Sequence, residues 1–137
     1  MKNKILNYQS LNTDIASVLI RLIFGGLFVY HGYTLIRSYD EILPMFKDII
    51  GIGPKLSFNL LIFAQFFCGL FVTVGFLTQL SVIPIFIAML VAYFIAHAKD
   101  SFQVKELAFL FLLLSLIIFV LGSGKFSVDK LLSKKLS

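Results

Sequence analysis

Apolar residues fall into four long runs separated by short polar stretches, at about residues 15–36, 57–77, 81–98 and 104–121. A bilayer span takes about 20 apolar residues at 1.5 Å of rise per residue. The pattern therefore predicts an all-α protein, an integral membrane four-helix bundle forming a single domain over residues 1–137. The first run comes after a mixed polar stretch, KNKILNYQSLNTD, and lacks a small-residue cleavage site. It reads as a retained span rather than a removable signal, with Thr13 or Asp14 placed to cap it. The loop at 37–56 carries Asp40, Glu41, Lys47 and Asp48 and closes on GIGPK, where glycine and proline interrupt any helix. Its centre, EILPMFKDII, has the make-up of a short helix lying on the membrane surface. Thr78 to Leu80 reads as a tight turn, Pro84 sits in the first turn of the third span, and Gly122 and Gly124 stop the fourth.

Composition sharpens this. The chain is 59% hydrophobic and 14% charged with a mean hydropathy of +0.97, against about 45–50% and about 25% in soluble domains. A soluble enzyme, a disordered chain and a sheet-built domain are excluded. The single cysteine, Cys68, rules out an internal disulfide, a CxxC thiol pair and a cysteine-rich zinc site. The net charge of +5 comes from lysines flanking the spans, so no nucleic-acid partner is expected. With no tryptophan in the chain, Tyr30, Tyr33, Tyr39 and Tyr93 are the candidates for the interfacial belt.

An even number of spans puts both termini on one side. That side carries Lys2, Lys4, Lys125, Lys130, Lys134 and Lys135, and the other carries Arg37, Lys47, Lys55, Lys99 and Lys105. The balance places both termini in the cytoplasm.

Helices in lipid associate through small residues. Ala88, Ala92 and Ala96 form a stripe on span three, and Gly25, Gly26, Gly32, Gly69 and Gly75 are the packing glycines. Arg21 shares the face of Gly25 and Gly32 and is expected to point into the bundle; the alternative is that it snorkels to the interface. His31, Gln65, His97 and Glu106 come from four different spans, and all fall in the leaflet away from the termini. Each has a plainer explanation. His97 and Glu106 sit at helix ends, Gln65 suits an interhelical hydrogen bond, and Cys68 suits a small buried hydrophobe. His31 is the hardest to explain away, because an imidazole below the interface needs a partner. Arg21, His31, Gln65, His97 and Glu106 are therefore the candidate ligand-binding set, with no catalytic residue assigned. The unequal depths of the histidines argue against a shared haem, and no metal site is expected.

The string RLIFGGLFVYHGYTLI at 21–36 resembles the opening motif of the DoxX family, with Arg21, Gly25, His31 and Gly32 in register. Gln65 and Gly69 stand where the family often has glutamate and glycine; AYFIAH, Glu106 and the closing GSGKFSVDKLL resemble its later segments. The family's lysine after His-Gly is replaced by Thr34 or Leu35, leaving Arg37 as the nearest cation. The resemblance implies a four-helix bundle in a bacterial cytoplasmic membrane, associated with redox systems such as a thiosulfate:quinone oxidoreductase. The implied cofactor is a quinone. Losing two charges argues for an accessory subunit of a membrane redox assembly, holding a quinone-like or lipid-like ligand in a polar cavity between the helices. One alternative is a quinone-linked oxidoreductase whose electrons come from a partner protein; another is a small transporter or oligomeric membrane scaffold. Membrane lipid, a redox partner protein and a second copy are the partners expected.

Overall fold

The computed structural model describes residues 12–47 and 51–136, with Val104 described by its backbone alone. Among the described residues, all regular structure is helical: α1 Thr13–Arg37, α2 Tyr39–Ile42, α3 Pro54–Val74, α4 Thr78–Ala96, α5 Phe102–Leu121 and α6 Val128–Leu136. Helices α1, α3 and α4 are each long and apolar enough to cross a membrane. Helix α5, 20 residues long, is a fourth rod packed against α4 and α1. The fold is thus an all-α membrane protein, as the apolar runs predict.

Several local expectations are corrected. The cap of α1 is Asn12, whose side chain accepts from the backbone N–H of Asp14 and Ile15 at 2.9 and 3.1 Å. Thr13 and Asp14 are already helical, which frees the Asp14 carboxylate to accept from the Lys125 backbone N–H at 2.9 Å. The surface helix expected over EILPMFKDII is only the short α2 and a 3₁₀ turn at Leu43–Met45 containing Pro44; residues 48–50 lie outside the described set, as do Lys2 and Lys4. This loop folds back onto α3. Tyr39 and Phe46 pack on the fully buried Phe58 ring, and the Tyr39 hydroxyl donates to Asn59 at 2.7 Å. The turn placed at Thr78 to Leu80 lies three residues earlier. Gly75 adopts a left-handed conformation (φ 78°), Phe76 N–H reaches back to Phe71 carbonyl, and Thr78 already begins α4.

The alanine stripe also fails. Residues 92–96 form a π-turn, as do residues 63–67 in α3. Each π-turn inserts an extra residue into the helical repeat and rotates the residues beyond it. Ala88 packs beside the core, but Ala96 is exposed. The core is built instead from Phe24, Phe28 and Phe111, whose ring centroids lie 4.8–5.9 Å apart, with Val72, Val82, Ile85 and Ile118 around them. Cys68 is one of these buried apolar residues. Helix α1 approaches α3 through glycine. A Cβ at Gly32 would stand 2.7 Å from the Phe66 backbone nitrogen, and one at Gly25 would stand 2.8 Å from the Gly69 carbonyl oxygen.

Candidate functional site

Polar side chains gather at two ends of the bundle. At the end holding the C-terminus of α1, a cavity of about 240 Å³ opens between α1, α3, α4 and α5. Phe28, Phe111 and Met89 supply apolar wall, and His31, Gln65, His97 and Lys105 supply the polar groups. The two π-turns explain how α3 and α4 deliver their share. Gln65 is the middle residue of one, and His97 immediately succeeds the other. A π-turn re-aims the side chains around it, and such turns recur at functional sites.

The polar groups differ in what already satisfies them. Gln65 Oε1 is buried and has no hydrogen-bond partner among the described residues. His97 Nδ1 lies 2.7 Å from Asp100 Oδ2, one helical turn on. A carboxylate only accepts, so Nδ1 carries the proton of that bond and Nε2 is left for another partner. Lys105 Nζ sits 4.4 Å from the centre of the Tyr93 ring, a cation–π contact that holds the side chain over α4. His31 is half-buried with the Tyr30 ring edge against it, and its carbonyl accepts from the Thr34 hydroxyl at 2.7 Å.

Three of the five expected residues therefore meet: His31, Gln65 and His97. Glu106 does not join them. It is exposed and lines no part of the cavity, while its neighbour Lys105 does. The helix phase explains this. Lys105, Ala108 and Phe111 share the inward face of α5, where Phe111, Leu112 and Ser115 are buried; Glu106 shares the outward face with Leu110 and Leu113.

Arg21 is elsewhere. It is 2% exposed, which removes the snorkelling alternative. Its guanidinium donates to Phe126 carbonyl at 2.6 Å and to Thr73 carbonyl at 3.0 Å. The second bond puts a cation at the C-terminal end of α3, where the helix dipole favours it. Across the Gly75–Leu77 turn, Asp129 does the converse at the start of α4. Its carboxylate accepts from Leu77 N–H at 2.8 Å, Thr78 N–H at 3.3 Å and the Ser123 hydroxyl. Helix α4 has no capping side chain of its own, so Asp129 caps it from 51 residues away. Gly75 is required at this crossing: a Cβ there would lie 2.5 Å from Ser127 Cβ and 2.6 Å from Arg21 Nη1. Residues 122–127 are tied down further by the Ser17 hydroxyl, within 3.1 Å of both the Gly122 and Ser123 carbonyls. The elements of the closing motif thus form a clasp between the first helix and the last, distant from the cavity.

The clasp is expected to be pH-sensitive. Burial pushes the Asp129 carboxyl upward, but the Ser123 hydroxyl, the two backbone N–H groups and the Arg21 guanidinium outweigh it and hold the group below the usual carboxylate range. A depressed folded pKa contributes stability that is fully present above the ordinary carboxylate pKa and is lost as pH falls through the lower folded value. Amide exchange at Leu77 and Thr78 should accelerate as pH drops below about 4, after correction for the intrinsic rate. Asp129→Asn should flatten that dependence, and an unchanged acid response in the variant would refute the assignment.

Comparison with known proteins cuts across this division. A model of the DoxX family matches residues 16–98, a segment containing Arg21, His31, Gln65 and His97 but ending before Lys105 and Asp129. Among curated proteins, inner membrane protein YqjF of Escherichia coli strain K12 is 28% identical over 130 residues, covering 89% of this chain and 95% of that protein. No solved structure matches the chain.

Proposed function

The chain belongs to the DoxX family of integral membrane proteins, and on that premise we propose that it is an accessory subunit of a membrane redox assembly. Its cavity at His31, Gln65, His97 and Lys105 would hold a quinone-like or lipid-like ligand. The observation that carries this reading is Gln65 Oε1, a buried acceptor without a protein partner at the wall of that cavity. Leaving such a group unpaired costs about 1–3 kcal/mol, which a ligand hydroxyl offsets, such as that of the quinol form or of a lipid headgroup; an oxidised quinone offers only acceptors. The apolar walls accept a flat ring. Lys105 offers a cation to a ligand oxygen, and an imidazole can donate or accept. At about 240 Å³ the cavity is smaller than the usual drug-sized site of about 300–1,000 Å³. It therefore suits a ring or headgroup whose tail remains in lipid.

Under this proposal the whole of residues 1–137 acts as one membrane domain in the bacterial cytoplasmic membrane, with α5 as the fourth span. The start of α1 and the lysine-bearing closing segment share one end, joined by Asp14 and Lys125, and the positive-inside preference puts that end in the cytoplasm. A redox partner protein supplies the electron traffic, and a second copy of the chain is the alternative partner in the membrane.

The test is the ligand complement of the protein purified from bacterial membranes into lipid nanodiscs. Isoprenoid quinone and phospholipid per protein are measured by mass spectrometry for wild type, His31→Ala and Lys105→Met. Removing one such hydrogen-bonding group should reduce quinone occupancy about tenfold at limiting quinone. An identical complement in all three proteins would reject the cavity as the binding site.

A further inference from the structure

Helix α6 stands apart from the cavity, and none of its residues is buried. It still carries an ordered apolar stripe. Val128, Leu131, Leu132 and Leu136 fall at i, i+3, i+4 and i+8, one side of a helix. Leu131 is 63% exposed and Leu136 is 87% exposed. Lys130 and Lys134 occupy the opposite side, and Lys135 lies within the stripe at the C-terminal end, where its long stem lets the ammonium snorkel.

The position of this helix is fixed. The Ser127 hydroxyl caps it by accepting from Lys130 N–H at 3.2 Å. Asp129 N–H donates to Gly75 carbonyl at 3.0 Å, so the helix begins against the turn joining α3 and α4. Both of those helices are of membrane-crossing length and hydropathy, which puts the turn and the start of α6 at the membrane boundary. Leu77, at 45% exposure, shares a groove with Leu132 and Leu136. Apolar surface thus extends from the end of the bundle onto α6, with Asp129 and Ser133 as the polar residues of the same groove.

We infer that α6 is an interfacial foot, lying in the headgroup layer of the leaflet at the terminus end and binding anionic phospholipid. The leucine stripe and the Leu77 groove face acyl chain, and the lysines meet lipid phosphates. Both parts are needed: an amphipathic helix of nine residues presents little apolar area, and each lysine near an anionic surface strengthens attachment about fivefold. The inference stands independently of the ligand proposed for the cavity, which lies at the other end of the bundle.

The absence of tryptophan from the chain permits a direct test. Leu131→Trp gives the full-length protein a single indole. It is reconstituted in phosphatidylcholine vesicles with and without phosphatidylglycerol, and its emission is read together with quenching by acyl-brominated lipid and by aqueous iodide. The expected result is blue-shifted emission, quenched by brominated lipid and shielded from iodide, with the docked fraction larger in phosphatidylglycerol. Adding Lys130→Gln or Lys135→Gln should lower the docked-to-undocked ratio about fivefold each while leaving the unfolding midpoint unchanged. Water-like emission with full iodide access in both vesicles would overturn the inference. So would a blue shift that ignores brominated lipid and grows with protein density, which would assign the stripe to a protein partner or a second copy.

Discussion

Replacing Arg21 with methionine should destabilise the folded protein by about 3–5 kcal/mol, the range for removing one partner of a buried, hydrogen-bonded charge. The substitution leaves the Thr73 and Phe126 carbonyls without their donor and deprives Asp129 of the guanidinium that helps keep it ionised. Arg21→Lys should recover part of the loss, because a point charge remains but the fork that reaches two carbonyls does not. The exposed Arg37 serves as control, and Arg37→Met should change stability by less than about 0.5 kcal/mol. Reversible unfolding in mixed micelles titrated with a denaturing detergent reads these differences. An Arg21→Met protein as stable as wild type would show that the clasp contributes nothing to the fold.

Gly32→Ala should destabilise by about 1–3 kcal/mol or more, whereas Gly26→Ala should be neutral or slightly stabilising. The contrast is geometric. A methyl at Gly32 would come within 2.8 Å of the Phe66 Cα, part of a helix backbone that cannot turn aside, while a methyl at Gly26 meets nothing within 4 Å. Phe66 belongs to the π-turn that carries Gln65. Forcing α1 away from it should therefore also weaken ligand retention in the cavity. The same unfolding titration, paired with the ligand complement, checks both parts. Equal effects at the two glycines would mean that α1 and α3 do not pack as described.

Much of the fold was legible because lipid leaves a backbone few options: an apolar run of span length must satisfy its own hydrogen bonds, and a helix does so. Depth was legible for the same reason, since counting residues along a rod measures height. That is why His31, Gln65 and His97 emerge in the same half of the bundle, around one cavity. Azimuth was harder. Lys105 and Glu106 differ by one residue in height but by about 100° around the helix, and only the buried positions Phe111, Leu112 and Ser115 identify which of them turns inward. Those positions lie within an apolar run whose faces look alike in composition. The π-turns leave no periodic trace, so a stripe drawn through Ala88, Ala92 and Ala96 at a constant repeat drifts off the packed face. Arg21 was legible as buried, but not in its role, because its acceptors are main-chain carbonyls 52 and 105 residues away. A carbonyl is the same in every residue and carries no mark in a sequence.

The clasp has a consequence for biogenesis. Helix α1 enters the bilayer with its arginine already aboard, yet one of the carbonyls that receives it belongs to Phe126, 105 residues later in the chain. Until that segment is made, the nascent chain must shelter the guanidinium by other means, in headgroups or within the insertion machinery. A ribosome stalled before Phe126 would release a chain with several hydrophobic segments but an incompletely coordinated cation, a product that membrane quality control has physical grounds to recognise. Synthesis of the Phe126 segment thus completes the coordination of a cation that the first helix brought into the bilayer.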